Sequence, residues 1–356
     1  MSSPPPFQIS QVRAYALSLG IGVIGGAIFA YFRLPLAWMI GAMCANTVAS
    51  MMGWDVKVPR QLRALMIVVL GVLLGSSFTP DLPGRVGAWW PTMLALFAYV
   101  GIGTAILFFY FRRLCGYDVT TAYFASAPGG LNEMVTVGGA MGGDERLIAL
   151  THACRVLLVV MAIPFYFRFF GGYTPPVSML PAIGGGEVSL DDAGILVVCG
   201  VVGVVVARLL RLPAYAMLGP MILSAVAHIT GFSEAKPPAL LVAVAQVVLG
   251  CAVGARFAGT SVRLVRDAML MSVGATVALM AVTVAFSLAL SRVSGLGDDD
   301  VLLAFSPGGL AEMSLVAIAL HSDAAFVATH HIARILIVIV CAPLVFKLAR
   351  REPPPP

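Results

Sequence analysis

The sequence predicts an all-α polytopic membrane protein. It reads as two homologous halves arranged as inverted repeats, with about 10 spanning helices plus two broken or re-entrant Pro-Gly-Gly segments. Three observations predict this. Of the 356 residues, 60% are hydrophobic and only 11% are charged, and the mean hydropathy is +0.96. A soluble domain is roughly half apolar and a quarter charged. The chain repeats itself at an offset of 178 to 179 residues. Each copy interrupts one apolar segment with a Pro-Gly-Gly turn and places a glutamate just beyond it.

Backbone groups in lipid must be satisfied within the protein, so a spanning segment is a helix or part of a closed barrel. The apolar segments here are long and lack strict alternation, which selects helices. In the first half they lie near 12–32, 34–52, 62–78, 88–111, 119–142 and 146–170. In the second half they lie near 193–210, 213–231, 238–257, 268–291, 299–320 and 324–347. The repeats run over 11–170 and 192–350, joined by a polar, glycine-rich linker at 171–191. The ends, 1–10 and 351–356, carry proline runs and read as disordered tails.

Duplication rests on register. "RLPLAWMIGAM" at 33–43 returns as "RLPAYAMLGPM" at 211–221 with six of eleven residues identical. "APGGLNEMVTV" at 127–137 returns as "SPGGLAEMSLV" at 306–316 with seven of eleven identical. The same 179-residue offset carries Asp144 to Asp323, His152 to His331, Arg155 to Arg334 and Pro164 to Pro343.

The formal charge of +5 reads as a topology signal. No Lys/Arg cluster or soluble domain suits nucleic acid. If the fifth segment of each half does not span, each half crosses five times and the second is inverted. With the N-terminus inside, the inner regions then hold fifteen Lys/Arg and the outer ones five. If all twelve segments spanned, the split would be twelve to eight. Positive charge gathers on the cytoplasmic side, so the first arrangement fits better and puts both termini in the cytoplasm. The six cysteines form no CxxC pair and lie mostly in apolar segments, which suggests neither a disulfide framework nor a zinc site. The N-terminus lacks the basic region of a cleaved signal peptide, so the first span is expected to stay as an anchor.

"SAPGGLNEM" (126–134) and "FSPGGLAEM" (305–313) carry the chemistry. Pro128 and Pro307 each remove a backbone donor and disfavour helix before them. Gly129, Gly130, Gly308 and Gly309 permit irregular backbone. A helix restarting at Leu131 or Leu310 exposes free N–H groups and a positive dipole end, a ready anion site. Close packing around a simple kink is the plainer reading. Glu133 and Glu312 fall in the first turn of the restarted helix. They would either cap it or, as ionisable groups at membrane depth, carry a coupled proton or cation. Asn132 stands opposite Ala311, which makes the halves unequal.

The sixth segment of each half supplies a cation. His152 and Arg155 are three residues apart on one helical face, as are His331 and Arg334, with His330 adjacent. Each arginine has two readings: an ion pair with Glu133 or Glu312, or a contact to an anionic substrate. The histidines suit either proton relay or helix–helix hydrogen bonding. No nucleophile–base set, metal spacing or nucleotide loop is present, so neither an enzyme nor a cofactor is expected.

The duplicated "SAPGGLNEM" and "SPGGLAEM", each followed by an H-x-x-R segment, resemble the AbrB family of duplicated bacterial integral membrane proteins over nearly the whole chain. That family is named for an effect on gene expression, and its members also carry an ammonia monooxygenase label. Neither label finds support in these residues. The resemblance implies a bacterial inner-membrane location and distant kinship with cation/proton antiporters and anion transporters. That kinship favours crossed broken helices over re-entrant hairpins. The positions it carries over are Pro128, Gly129, Gly130, Asn132, Glu133, Pro307, Gly308, Gly309 and Glu312, with His152, Arg155, His331 and Arg334.

The function expected is secondary transport of a small organic anion, a carboxylate or acidic amino acid, coupled to a proton or monovalent cation. Pro128, Gly129, Gly130, Asn132, Arg155, Pro307, Gly308, Gly309 and Arg334 would bind substrate. Glu133, Glu312, His152 and His331 would handle the coupled ion. The alternative is a membrane regulator of gene expression that senses a ligand without transporting it. The partners expected are the anion, the proton or cation and the lipid bilayer. Carriers of elevator type often dimerise, so a homodimer is one assembly to test.

Overall fold

A computed structural model describes residues 9–173 and 189–349. The tails, and the linker from 174 to 188, lie outside the described residues. The described chain is helical, with no strand. In the first half run α1 (Ile9–Tyr31), α2 (Ala37–Met51), α3 (Arg60–Gly75), the short α4 (Leu82–Val86), α5 (Trp90–Arg113), α6 (Val119–Ser126), α7 (Leu131–Ala140) and α8 (Glu145–Phe169). In the second run α9 (Leu190–Leu209), α10 (Tyr215–Ile229), α11 (Ala239–Gly254), α12 (Val262–Ser294), α13 (Asp298–Phe305), α14 (Leu310–Ala319) and α15 (Ala324–Ala349). Among the described residues, 7 helices are long and apolar enough to cross a membrane, and Tyr215–Ile229 and Leu310–Ala319 are shorter apolar helices.

Sequence repeats become repeats of local geometry. The proline of each "RLP" stops the preceding helix. The chain then turns through left-handed backbone at Arg33 (φ 52°) and Leu36 (φ 46°), and again at Arg211 (φ 54°) and Ala214 (φ 47°). A left-handed non-glycine residue costs roughly 1 kcal/mol or more. Two such residues at the same places in both copies mean that packing imposes the turn. The same closing bond forms twice, from Leu34 N–H to Phe29 O and from Leu212 N–H to Ala207 O, both at 2.9 Å.

The chain divides into two compact units, and each draws helices from both halves. The first contains α1–α3, the end of α8, and α9–α11. Its helices approach through glycine. A Cβ at Gly71 (α3) would lie 2.6 Å from Met217 O in α10, and one at Gly254 (α11) would lie 2.6 Å from Met43 O in α2. Helix α3 of one half thus packs on α10 of the other, and α11 packs on α2 in return. Within each half, Gly25 faces Gly41 and Gly203 faces Gly219 at backbone contact. Lipid gives helices no hydrophobic reason to associate, so close van der Waals approach through small residues takes that role.

The second unit contains α5–α7, most of α8, and α12–α15. Here the Pro-Gly-Gly segments fold back on themselves. Asp144 N–H, beyond the end of α7, donates to Thr121 Oγ1 near the start of α6 at 2.8 Å. Asp323 N–H donates to Asp300 Oδ1 at 2.8 Å in the equivalent place. The helices of 8 and 10 residues in each pair thus form a hairpin whose end returns to its start. The physical cause is the two-residue glycine turn together with helix caps at the hairpin base. Asp118 accepts from Thr120 N–H (2.9 Å) and Thr121 N–H (3.0 Å) to start α6. Burial opposes ionisation of Asp118, but these donors outweigh it and hold the carboxyl below its usual range. In the second copy Gly297 takes that place, and three aspartates crowd the first turn of α13 instead.

Two outcomes are expected. Gly41→Val should sharply reduce folded yield and thermal stability in detergent, because its Cβ would meet Gly25 C at 2.6 Å and Gly26 Cα at 2.8 Å; a wild-type melting curve would show that this contact is not tight. Asp118→Ala should cost about 1 kcal/mol, and Asp118→Asn should restore most of it in the same melting assay. The ionised Asp118 cap contributes above the unfolded carboxyl pKa of about 3.9 and is lost as pH falls below it.

Candidate functional site

The second unit brings the two motifs together. Helix α8 starts at the hairpin base and passes its tip. His152 lies about 10 Å along it and Arg155 about 15 Å along it. His152 Nε2 is 2.9 Å from Phe124 O in α6, and His331 Nε2 is 3.0 Å from Leu303 O in α13. A carbonyl only accepts, so both Nε2 atoms carry the proton. On the other side of each ring, Arg155 Nη2 donates to His152 Nδ1 and Arg334 Nη2 to His331 Nδ1, both at 2.9 Å. Each ring is therefore held as the neutral Nε2–H tautomer, strung between a hairpin carbonyl and an arginine. All four side chains are buried, from 0% to 4% exposed.

The arginines are not held by the motif glutamates. Among the described residues Arg334 pairs instead with the irregular turn of its hairpin. Nη1 donates to Ser306 O at 2.5 Å and Nη2 to Gly308 O at 2.7 Å. Among the described residues Arg155 bonds His152, and its Nε and Nη1 are buried without a hydrogen-bond partner, as is Nε of Arg334. The ion pairs with Glu133 and Glu312 do not form because each carboxylate folds back over its own helix start. A Cβ at Gly130 would strike Glu133 Oε2, and one at Gly309 would strike Glu312 Oε2. That position lets the carboxylate face the positive helix end. Asn132 is exposed on α7, and Glu133 and Glu312 are half-buried.

Helices from the opposite half wall the hairpins. Gly129 sits against Val338 of α15, and Tyr123 Oη donates to Ala342 O at 3.0 Å. Phe124, Ala127, Met134, Val338, Ala342 and Phe346 form a buried cluster there. The second hairpin meets α5, where Tyr99 packs edge-on against Phe305 with ring centroids 5.3 Å apart. Tyr99 is fully buried, bonded to Thr283 Oγ1 at 3.0 Å, and within electrostatic reach of both arginines. Arg155 also senses the charge of Arg334. Sequence reading missed Tyr99, because one tyrosine in an apolar helix carries no signal. His330 stands apart from its neighbour's role: it bonds Phe326 O and Thr92 Oγ1, both at 2.9 Å, and ties α15 to the start of α5. Among the described residues no group of three or more His, Cys, Asp or Glu could hold a metal ion.

Comparison with known proteins returns a family model described as "Transition state regulatory protein AbrB", matched over residues 38–350. A Bacillus subtilis (strain 168) protein named "Uncharacterized protein YhjN" is 26% identical over 365 residues, covering 93% of this chain and 91% of the relative. An Escherichia coli (strain K12) protein named "Putative regulator AbrB" is 26% identical over 355 residues, covering 96% of each.

Histidine substitution tests the geometry. His152→Ala and His331→Ala should each cost about 1–3 kcal/mol, since a buried carbonyl and a guanidinium lose a partner. Nitrogen-15 spectra of histidine-labelled protein should show the Nε2–H tautomer at both sites; a proton on Nδ1 would contradict the arrangement.

Proposed function

This chain belongs to the AbrB family, and we propose that it is a secondary transporter of a small organic anion, a carboxylate or an acidic amino acid. The observation that carries the proposal is a pair of buried arginines, one from each half, whose guanidiniums have no carboxylate partner among the described residues. Two positive charges at membrane depth without counterions are costly, and a bound anion relieves that cost. The starts of α7 and α14 add the positive ends of helix dipoles beside Gly130 and Gly309. Pro128, Gly129, Gly130, Asn132 and Arg155 of the first half are the proposed substrate contacts, with Pro307, Gly308, Gly309 and Arg334 shaping the second side of the site.

Coupling follows from the tautomer. His152 Nδ1 accepts from Arg155, so it takes up a proton only when the guanidinium moves off it. An anion that draws Arg155 away frees the ring for one proton, and the return of Arg155 expels it. Glu133 and Glu312, at the hairpin tips, are the proposed relay to water, and a monovalent cation would serve the same charge balance. Inverted repeats, supported by the split of positive charge, would supply alternating access. The proposed setting is a bacterial inner membrane with both termini in the cytoplasm.

The name of the Escherichia coli relative and the description of the family favour a second reading, a membrane regulator that binds a ligand without moving it. Reconstitution separates the two. Liposomes holding only this protein should take up a labelled carboxylate or acidic amino acid that stabilises the purified protein, with a pH gradient changing the rate. Binding without flux, in vesicles verified to contain folded protein, would reject transport in favour of the regulator.

A further inference from the structure

We propose that the two arginines divide the work: Arg155 is the seat for a single carboxylate group, and Arg334 is a positioning residue that holds the second hairpin turn. This rests on the anion-site reading and names the ligand chemistry and its place. A guanidinium has five N–H donors in a planar fork. Arg334 uses Nη1 for Ser306 O, and Nη2 for both Gly308 O and His331 Nδ1. Its forward edge is occupied by two carbonyl oxygens of its own turn. Arg155 makes the same bond to its histidine, at the same 2.9 Å, and among the described residues the Nε of neither arginine has a partner; the difference lies at Nη1, which in Arg155 is also unpartnered although the residue is only 4% exposed.

The turns themselves nearly match. Ala127 has φ −61° and ψ 126°, and its counterpart Ser306 has φ −60° and ψ 141°. The fork that grips two carbonyl oxygens in the second half is thus open in the first. Two parallel N–H groups spaced to hold two oxygens match one carboxylate bidentately. The start of α7, a helix of 10 residues, faces the same turn. The motif's other asymmetry, Asn132 in place of Ala311, falls in the same half. A second guanidinium within electrostatic reach favours anions generally, but its own fork is filled.

The test uses the full-length protein in detergent, with acetate, lactate, glutamate, succinate and inorganic phosphate as probes and thermal midpoint as readout. Arg155→Gln, Arg155→Lys, Arg334→Gln and Arg334→Lys are compared with wild type. Without ligand, Arg334→Gln should melt at least about 3 °C lower because a buried turn loses its donors, whereas Arg155→Gln should melt level with wild type or higher. With ligand, the carboxylate-induced shift should vanish in both Arg155 variants, since lysine lacks the fork, and should persist in Arg334→Lys. A shift that survives in Arg155→Gln overturns the division while leaving anion binding intact. So does loss of the shift in an Arg334→Lys protein that melts like wild type. Failure of both Arg155 variants to fold overturns it as well, by making that residue structural. A wild type stabilised by phosphate but by no carboxylate overturns the ligand class. No shift from any probe in wild type overturns the anion-site reading itself.

Discussion

Irregular backbone at membrane depth is the constraint on which the second unit depends. Lipid offers no partner for an N–H or C=O that leaves a helix, so a Pro-Gly-Gly turn there must be satisfied by protein. The second hairpin meets this demand with Arg334, which donates to Ser306 O and Gly308 O. That demand orders the rest. The arginine must be buried to reach the turn, and a buried guanidinium needs acceptors for its donors; among the described residues both Nη atoms of Arg334 find them and Nε does not. His331 accepts from one of these Nη atoms and passes the connection on to Leu303 O inside the hairpin. These contacts among five residues join α15 to both ends of the break.

The first half contains the same set of contacts with one side open. His152 links Arg155 to Phe124 O, but among the described residues the guanidinium has no carbonyl to hold. Duplication makes such a difference informative. Two copies of one device under the same constraint should settle alike unless one is under another demand. Natural proteins carry unsatisfied buried polar groups chiefly where function needs them. The opposite case is the glycine packing of the first unit. There both copies meet the same purely steric demand, and they meet it identically, with Gly71 on Met217 and its counterpart Gly250 on Met39.

Much of this was legible in the chain. Twelve apolar segments follow from hydropathy alone, and apart from the short α4 the helices coincide with them to within about six residues at either end, the fifth of each half in two pieces. The Pro-Gly-Gly turns and the H-x-x-R faces are local patterns, and the structure gathers them in one unit. What could not be read was which group each arginine would choose. Charge pairing suggested Glu133 and Glu312, yet each carboxylate turned back to the start of its own helix. That choice depends on side-chain reach within a folded hairpin, and nothing in residue spacing encodes it. Tyr99 and Val338 were invisible for a related reason: each matters only through a neighbour from the other half of the chain.

The sequence by itself determined the class, the duplication and the identity of the chemical groups. Composition sets the solvent, register sets the repeat, and proline and glycine set where helices stop, all through local physics. Only the tertiary structure decided that the broken segments turn back as hairpins, that compact units draw on both halves, and that two identical arginines end in different states. Those outcomes depend on contacts between residues far apart in the chain. Such contacts are selected by whether distant surfaces fit and whether buried donors find acceptors, and no single segment carries that information.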